Sequence, residues 1–160
     1  MTYGIGLGSN VGNRAGHVRA GIAFLKTIFK PGLLVSSLYE ASPVGCPPGS
    51  ADFINAAAEG EFDGEAVPLY RLLKAFEKTR GERLPAGRNE PRALDLDLLY
   101  GEEPFAHPEL TLPHPRLHLR RFVLQPLAEI HPELLVPGLG KTVRELLAAL
   151  NTHEVVRALG

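Results

Sequence analysis

Four segments of the chain have the hydrophobic pattern of β-strands. They lie at 2–10, 33–41, 53–62 and 94–98. In the first segment, large apolar residues alternate with glycine, which would let a neighbouring backbone approach closely. In the last, leucine alternates with Asp95 and Asp97. Because side chains of a strand alternate between its two faces, the leucines are predicted to face a core and the two aspartates to share the opposite face.

Apolar residues spaced three and four positions apart predict three helices. Their stripes are Val18, Ile22, Leu25 and Phe29; Leu69, Leu72, Leu73 and Phe76; and Val143, Leu146, Leu147 and Leu150. Asn13 is expected to cap the first helix, and Pro31 follows its end. Pro68 suits the first turn of the second helix, which is expected to end near Gly81. The sequence TVRE at 142–145 is a capping box that opens the third helix.

The predicted order of elements is β-α-β-β-α-β followed by a helix. This order predicts an α+β fold with a ferredoxin-like antiparallel sheet, helices packed on one face and a C-terminal helical extension. The other face of the sheet is expected to be free for a site. The segment 104–130 is expected to be irregular, with short helical pieces. The length of 160 residues, with no linker, predicts a single domain over 1–160.

Composition excludes several classes of protein. The formal charge of -1, from 17 basic and 18 acidic residues, gives no global case for nucleic-acid binding. A single cysteine, Cys46, excludes an internal disulfide framework and fits a reducing compartment. No segment approaches the ~20 apolar residues of a membrane span, and the N-terminus lacks the pattern of a signal peptide. A cytoplasmic location is therefore expected.

Basic residues are concentrated on both sides of the acidic strand. Before it come Arg71, Lys74, Lys78, Arg80, Arg83, Arg88 and Arg92; after it come His114, Arg116, His118, Arg120 and Arg121. Any one of these side chains alone would usually be a solvated surface residue. Two basic segments around an acidic pair favour a polyphosphate held through a metal ion.

The pair Asp95 and Asp97 has three possible roles. They could be solvated charges of an edge strand, paired acid–base carboxylates, or ligands of Mg²⁺. The neighbouring Arg92 argues against an acid–base pair, because a cation lowers a carboxyl pKa rather than raising it. The motif alone leaves the metal site and the solvated strand open.

Two aromatic residues are candidates for a ring-binding pocket. By pattern, Phe53 and Phe122 are core residues, but they could hold a flat ring between them, with Asn55 contacting its edge. His114, between two prolines and beside arginines, could donate a hydrogen bond to a phosphate oxygen.

Four ordered segments together carry a family resemblance. They are GLGSNVGNR (6–14), SPVG with DFINAA (42–45 and 52–57), PRALDLDLLYG (91–101) and LTLPHPRLHLRRFVLQPLAEI (110–130). They resemble the 6-hydroxymethyl-7,8-dihydropterin pyrophosphokinases of folate biosynthesis, over about residue 3 to about residue 150. The resemblance implies a ferredoxin-like α+β fold and Mg²⁺-dependent transfer of pyrophosphate from ATP to a reduced pterin, with release of AMP. It also implies a monomer whose partners are these small molecules, with no nucleic acid and no membrane.

The resemblance also implies roles for individual residues. Asp95 and Asp97 would hold two Mg²⁺ ions and, with Arg83 and Arg92, form the catalytic group. The ATP-binding set would be Lys74, Glu77, Arg83, Arg88, Arg92, Leu98, Thr111, His114, Pro115 and Arg120. The pterin-binding set would be Gly8, Ser42, Pro43, Val44, Phe53, Asn55, Asp95 and Phe122.

The chain departs from the family pattern in the loop before the acidic strand. Family members carry G-R-x-R after the second helix, whereas residues 81–84 here are G-E-R-L, so Glu82 stands where a catalytic arginine is expected. Arg80 or Arg83 is expected to replace it. Asn89 and Glu90 also stand where tryptophan and glycine are common, and Pro115 replaces a frequent tyrosine. These changes are expected to affect closure of the site.

Two alternative functions are weighed against this resemblance. A D-x-D motif also occurs in nucleotide-sugar glycosyltransferases, but those generally need a larger nucleotide-binding domain and do not need the two basic segments. A non-catalytic ferredoxin-like binding module is the second alternative. It does not explain the glycine-rich and charged loops, whose composition suits moving lids.

Overall fold

A computed structural model describes residues 1–41, 52–81, 93–151 and 154–159 of the chain. The strands are β1 (Thr2–Ser9), β2 (Leu34–Val35), β3 (Tyr39–Ala41), β4 (Phe53–Glu61), β5 (Asp95–Tyr100), β6 (Phe105–His107), β7 (Leu110–Leu112) and β8 (Val156–Ala158). The helices are α1 (Arg14–Ile28), α2 (Ala66–Thr79), α3 (Arg121–Ile130) and α4 (Val143–Ala149), with a 3₁₀ turn at Leu117–Leu119.

One antiparallel sheet organises the fold. Its strand order is β5-β1-β4-β3-β8, β2 also pairs with β4, and β6 and β7 form a separate hairpin. β1 lies between β4 and β5 and pairs with both along most of its length. The prediction of an antiparallel sheet combined with helices is confirmed.

The helices α1 and α2 cover one face of this sheet. The core beneath them includes Ile5, Leu7, Val18, Leu25, Ile54, Leu69, Leu73, Leu96 and Leu98. The alternation in β5 therefore acts as predicted: Leu96 and Leu98 are buried on the helical side, whereas Asp95 and Asp97 are half-buried on the other side. Burial of these apolar side chains is the main stabilising contribution to this layer.

A second core covers part of the opposite face. It contains Ala57, Leu99, Tyr100, Leu117, Leu124, Leu127, Val136, Val143 and Leu146. The register between β1 and β5 shifts between Gly4 and Ile5, so that Leu98 pairs with Ile5 and Tyr100 with Gly4. The extra residue of this bulge, Leu99, packs with Tyr100 against α3 and α4. The expectation that this face would be free is therefore wrong over the part that α3 and α4 cover.

Two predicted helix caps are present. The Asn13 side chain accepts a hydrogen bond from the Gly16 amide at 3.1 Å. Thr142 and Glu145 form the complete capping box: the Glu145 amide donates to Thr142 Oγ1 at 3.1 Å and the Thr142 amide to Glu145 Oε1 at 3.0 Å. Both caps could be predicted from the sequence because each involves residues only three positions apart.

Three other predictions, two about elements and one about burial, are wrong. The segment 33–41 forms two short strands, because Ser36 between them exchanges hydrogen bonds with Ala57 through its amide and its Oγ, at 2.9 Å each. The segment 104–130 contains an ordered hairpin and the ten-residue helix α3. Leu72, assigned to the core stripe of α2, is 41% exposed.

The ring of Tyr100 crosses β1 at position 4 and leaves room only for glycine there. Tyr100 and Glu59 pair with Gly4 from either side, and the Tyr100 hydroxyl donates to a Glu59 carboxylate oxygen across it. A Cβ at this position would lie 2.1 Å from Tyr100 Cε2. Gly4→Ala is expected to lower the free energy of unfolding by about 2–4 kcal/mol, because the ring must move out of a packed layer.

Urea unfolding measures this change, and Gly6→Ala is the matched control. Gly6 lies on the same face of β1, but a Cβ there would meet Leu99 only at 3.4 Å, an ordinary contact. The control is expected to change stability by less than about 1 kcal/mol. Equal losses in the two variants would contradict the assigned role of the ring.

Candidate active site

Three carboxylates converge where α2 packs beside β5. Asp95 and Asp97 project from β5, and Glu77 projects from the last two turns of α2. One side-chain oxygen of each lies within 4.8 Å of the others. Such a set of hard oxygen donors is suited to a divalent cation.

Lys74 and Glu77 bind the outer edge of β5. Lys74 Nζ donates to the Leu96 carbonyl oxygen at 2.8 Å and to Glu77 Oε2 at 2.8 Å. The Leu96 amide donates to the same Glu77 oxygen at 2.6 Å. Lys74 Nζ also lies 3.4 Å from Asp97 Oδ1. Two side chains one turn apart on α2 thus satisfy both backbone groups of one strand residue.

The charges of this cluster are strongly coupled. Burial would lower the pKa of Lys74, but the charges of Asp97 and Glu77 raise it above its ordinary value. Burial raises the pKa of Glu77, and Lys74 opposes that shift. Lys74 therefore carries its charge at neutral pH, next to the carboxylates.

His114 lies beside the same strand with a defined tautomer. Its amide donates to the Leu99 carbonyl oxygen at 2.7 Å, and its Nδ1 accepts from the Arg116 amide at 3.1 Å. A ring nitrogen that accepts a hydrogen bond carries no proton, so the proton of the neutral ring is on Nε2. Burial lowers the pKa of His114 below its ordinary value, and the charge of Asp97 opposes this shift. His114 is thus a neutral N–H donor.

Arg120 brings a second cation to the acidic group. It precedes α3, and its guanidinium carbon lies 5.4 Å from the centroid of the Phe122 ring, within the range of a cation–π contact. Burial lowers the pKa of Arg120 below its ordinary value, and the charges of Asp97 and Asp95 oppose that shift. The basic segments on either side of β5 therefore meet at Asp97, through Lys74 from one and Arg120 from the other.

Not every basic residue of these segments points here. Arg71 pairs with Glu109, and the Arg80 Nε lies 3.3 Å from Nδ1 of His17 on α1. Burial lowers the pKa of His17, and the Arg80 charge lowers it further. In this structure Arg80, one of the two candidates to replace the expected arginine, is engaged with α1.

The floor beside the carboxylates is made by glycine and an asparagine. Gly8 pairs with Asn55 on one side and Asp95 on the other, so these two side chains share a face across it. A Cβ at Gly8 would lie 2.9 Å from Asn55 Nδ2. Asn55 Oδ1 is buried and has no hydrogen-bond partner in the part of the chain that the structure describes. A buried acceptor without a donor is unfavourable, so this oxygen is a candidate contact point for a bound molecule.

The remaining predicted residues fall into two groups. Phe53 and Phe122 are half-buried, Thr111 and Pro115 are exposed, and the Leu98 side chain is 2% exposed in the core beneath α1 and α2. Any contact that Leu98 makes with a ligand must therefore use its backbone. Outside the described residues lie Ser42, Pro43, Val44, Cys46, Glu82, Arg83, Arg88, Asn89, Glu90 and Arg92.

Sequence patterns missed the groups that attach α3 to the sheet. The Tyr39 hydroxyl donates to Glu129 Oε1 at 2.6 Å, and the Ser37 amide donates to the same oxygen at 3.0 Å. Burial and this carboxylate raise the pKa of Tyr39 to about 12. These contacts position the helix that begins beside Arg120. They join residues 90 positions apart, so periodicity carries no signal for them.

The geometry above agrees with comparisons to known proteins. The family model of 7,8-dihydro-6-hydroxymethylpterin-pyrophosphokinase (HPPK) matches residues 4–132. The chain belongs to the HPPK family. This membership confirms the family predicted from the four ordered segments, and with it the predicted enzyme class, a pyrophosphokinase of folate biosynthesis.

Bacterial HPPK relatives match along most of their length. The chain is 33% identical over 159 residues to the 2-amino-4-hydroxy-6-hydroxymethyldihydropteridine pyrophosphokinase of Haemophilus influenzae, covering 98% of each chain. It is 40% identical over 132 residues to the enzyme of the same name from Bacillus subtilis, covering 79% of this chain and 75% of that one.

HPPK sequences also occur within longer proteins. The folate synthesis bifunctional protein of Arabidopsis thaliana is 37% identical over 127 residues, which cover 26% of its length. The crystal structure of Plasmodium falciparum HPPK-DHPS with pterin and p-hydrobenzoate superposes with a TM-score of 0.68 at 13% identity, over 92% of this chain and 44% of that one. This chain thus spans less than half of that protein, and the likeness shows the fold alone.

Among the residues that the structure describes, no helix is long and apolar enough to span a bilayer.

The hydrogen bond at Nδ1 of His114 predicts a pH effect on stability. Burial lowers the pKa of His114 in the folded state below the 6.5 of an ordinary histidine, so the unfolded state binds the proton more readily. The stabilising contribution is complete above that ordinary value and is expected to be lost as the pH falls from there towards the folded pKa.

Urea unfolding at about pH 7.5 and about pH 5.5, in His114→Asn beside the unchanged chain, isolates this contribution. The asparagine oxygen can still accept from the Arg116 amide but does not titrate in this range. The variant is expected to lose less stability on acidification. An identical loss in both proteins would contradict the assigned neutral tautomer.

Proposed function

We propose that this HPPK family member transfers the pyrophosphoryl group of ATP to the hydroxymethyl group of 6-hydroxymethyl-7,8-dihydropterin and releases AMP, in a Mg²⁺-dependent reaction. The observation that carries this proposal is one face of the sheet, on which Asp95 and Asp97 lie beside Asn55, whose Oδ1 has no hydrogen-bond partner among the described residues. The acidic pair suits a metal–phosphate complex, and the amide suits the edge of a heterocycle.

The carboxylates fit the proposed Mg²⁺ ions. Mg²⁺ takes oxygen ligands and is usually bound by one or two carboxylates together with substrate phosphates. Glu77 already accepts from Lys74 and from the Leu96 amide, so we assign the ligand role to Asp95 and Asp97. When bound there, the ions would neutralise phosphate charge and make the β-phosphorus more electrophilic.

The proposed reaction forms one bond and breaks one. The hydroxymethyl oxygen of the pterin bonds to the β-phosphorus of ATP, and the bond from that phosphorus to the oxygen bridging to the α-phosphorus breaks. AMP leaves with the bonding electron pair, and the hydroxyl proton is released to solvent. The charge to be stabilised lies on phosphoryl oxygens, so fixed donors and cations around them lower the barrier.

Two hydrogen-bond donors near Asp97, one of them charged, would bind those oxygens. Arg120 carries a permanent charge, and His114 presents a neutral N–H at Nε2. The predicted catalytic residues Arg83 and Arg92, and the predicted nucleotide contact Arg88, remain proposals, as does the replacement of the expected arginine by Arg80 or Arg83. The nucleotide contacts that remain proposed are Thr111, Pro115 and the Leu98 backbone. Lys74 and Glu77 are proposed to lie near the nucleotide where its phosphates would meet the metal ions.

The pterin would lie on the floor formed by Gly8. There Asn55 Oδ1 would accept a hydrogen bond from a ring nitrogen or the amino group. Phe53 and Phe122 are proposed to stack on the ring, and Ser42, Pro43 and Val44 to complete the pocket. Asp95, across Gly8 from Asn55, would then be close to both substrates.

Three further properties are proposed from the same assignment. The strand order β5-β1-β4-β3 and the position of α1 and α2 on one face support a ferredoxin-like description of residues 1–158. A single domain over 1–160 that is monomeric and cytoplasmic fits the family resemblance. Sedimentation of the purified chain tests the monomer.

A direct assay tests the function. ATP, Mg²⁺ and 6-hydroxymethyl-7,8-dihydropterin are incubated with the protein, and the nucleotide products are separated by chromatography. AMP and a pterin diphosphate are expected in equal amounts. Formation of ADP, or no turnover, would overturn the proposal.

The metal role predicts the behaviour of Asp97→Asn. The amide keeps the size of the side chain but removes a negative ligand, so turnover is expected to fall about a hundredfold or more. The melting temperature is expected to change little, because the substitution also relieves repulsion between carboxylates. Asp63→Asn, at an exposed residue, is the control. Near-native turnover of Asp97→Asn would remove the metal role.

A further inference from the structure

The ammonium group of Lys74 lies among oxygen atoms, as a bound metal cation would. It has three N–H donors, and the structure provides three acceptors: Glu77 Oε2 and the Leu96 carbonyl oxygen at 2.8 Å each, and Asp97 Oδ1 at 3.4 Å. Its side chain is only 25% exposed. A surface lysine held by nothing would instead extend into water.

The positive charge of Lys74 offsets repulsion among the neighbouring carboxylates. Three carboxylates with oxygens within 4.8 Å of one another repel strongly when no metal is present. Lys74 places an ammonium group within this set, with its Nζ 2.8 Å from Glu77 Oε2 and 3.4 Å from Asp97 Oδ1. One ammonium therefore offsets part of the repulsion that a divalent cation would otherwise remove.

We propose that Lys74 is a built-in counter-ion of the acidic cluster, which holds α2 to β5 before metal binds and competes with the metal for Asp97. This inference rests on the proposed function, since it takes Asp95 and Asp97 to be the metal ligands. Lys74 is accordingly a positioning residue: it acts through the carboxylates and sets how tightly they bind a divalent cation.

Two consequences follow from the competition. A fixed positive charge within a few ångströms of the site repels the incoming ion, so its removal is expected to tighten metal binding about tenfold at moderate ionic strength. The same removal takes away one of the positive charges that offset the repulsion among the carboxylates, so the metal-free protein is expected to melt at a lower temperature. A lysine that served only to pack α2 would produce the second effect without the first.

The experiment measures Mn²⁺ binding by electron paramagnetic resonance, with and without α,β-methylene-ATP, which cannot be cleaved at the reacting bond. The full-length chain is compared with Lys74→Gln, Lys74→Met, Lys74→Arg and Lys78→Met. Glutamine keeps a donor for the Leu96 carbonyl oxygen but lacks the charge, arginine keeps the charge, and Lys78 is an exposed residue of the same helix. Melting in EDTA and in Mn²⁺ is recorded for each protein.

The two neutral variants are expected to bind Mn²⁺ about tenfold more tightly, to melt lower in EDTA, and to gain more from Mn²⁺ than the unchanged chain. Lys74→Arg and Lys78→Met are expected to match the unchanged chain. If a neutral variant is unfolded in EDTA, Mn²⁺ is expected to restore its fold.

Unchanged or weaker binding in Lys74→Gln, while the unchanged chain binds Mn²⁺, would overturn the inference and leave the proposed function standing. A neutral variant that Mn²⁺ does not refold would also overturn it. Failure of the unchanged chain both to bind Mn²⁺ and to form AMP would instead remove the proposed function, and the inference with it.

Discussion

The fold depends on a central strand, β1, in which positions 4, 6 and 8 on one face are all glycine. β1 pairs with β4 and β5, and glycine occupies alternate positions along it, so side chains from its two neighbours meet above it. At Gly8 this brings Asn55 opposite Asp95, which makes a polar floor. At Gly4 it lets the ring of Tyr100 cross the strand. A larger residue at either position would push apart the groups that the fold brings together.

The same face is divided between structure and chemistry. Towards one end α3 covers it, held by Glu129 against β3 and by His131, whose Nδ1 lies 2.8 Å from Glu59 Oε2. Both carboxylates lie at the contact between helix and sheet. Asp95 and Asp97 lie at the end that α3 does not cover, and Arg120 immediately precedes α3. The helix therefore both closes a core and delivers a cation to the site.

Sequence predicted the features that depend on neighbouring residues and missed those that join distant ones. The alternation in β5 gave the face of Asp97, and the spacing of Thr142 and Glu145 gave a capping box, because both are local regularities. The family motif predicted Asn55 as a polar contact of the pterin, but it could not show that its oxygen has no partner among the described residues. No pattern could show that Lys74 reaches the Leu96 carbonyl, since the register between α2 and β5 is set by packing.

The two hydrogen bonds that Lys74 and Glu77 make to Leu96 also affect how open the edge of the sheet is to another strand. β5 ends the strand order of the sheet, and an end strand offers unpaired amide and carbonyl groups to any other extended chain. Here the two side chains occupy those groups at the middle of the strand. At the opposite end, β8 pairs with β3. Lys74 and Glu77 therefore also make the middle of this edge less open to pairing with another extended chain.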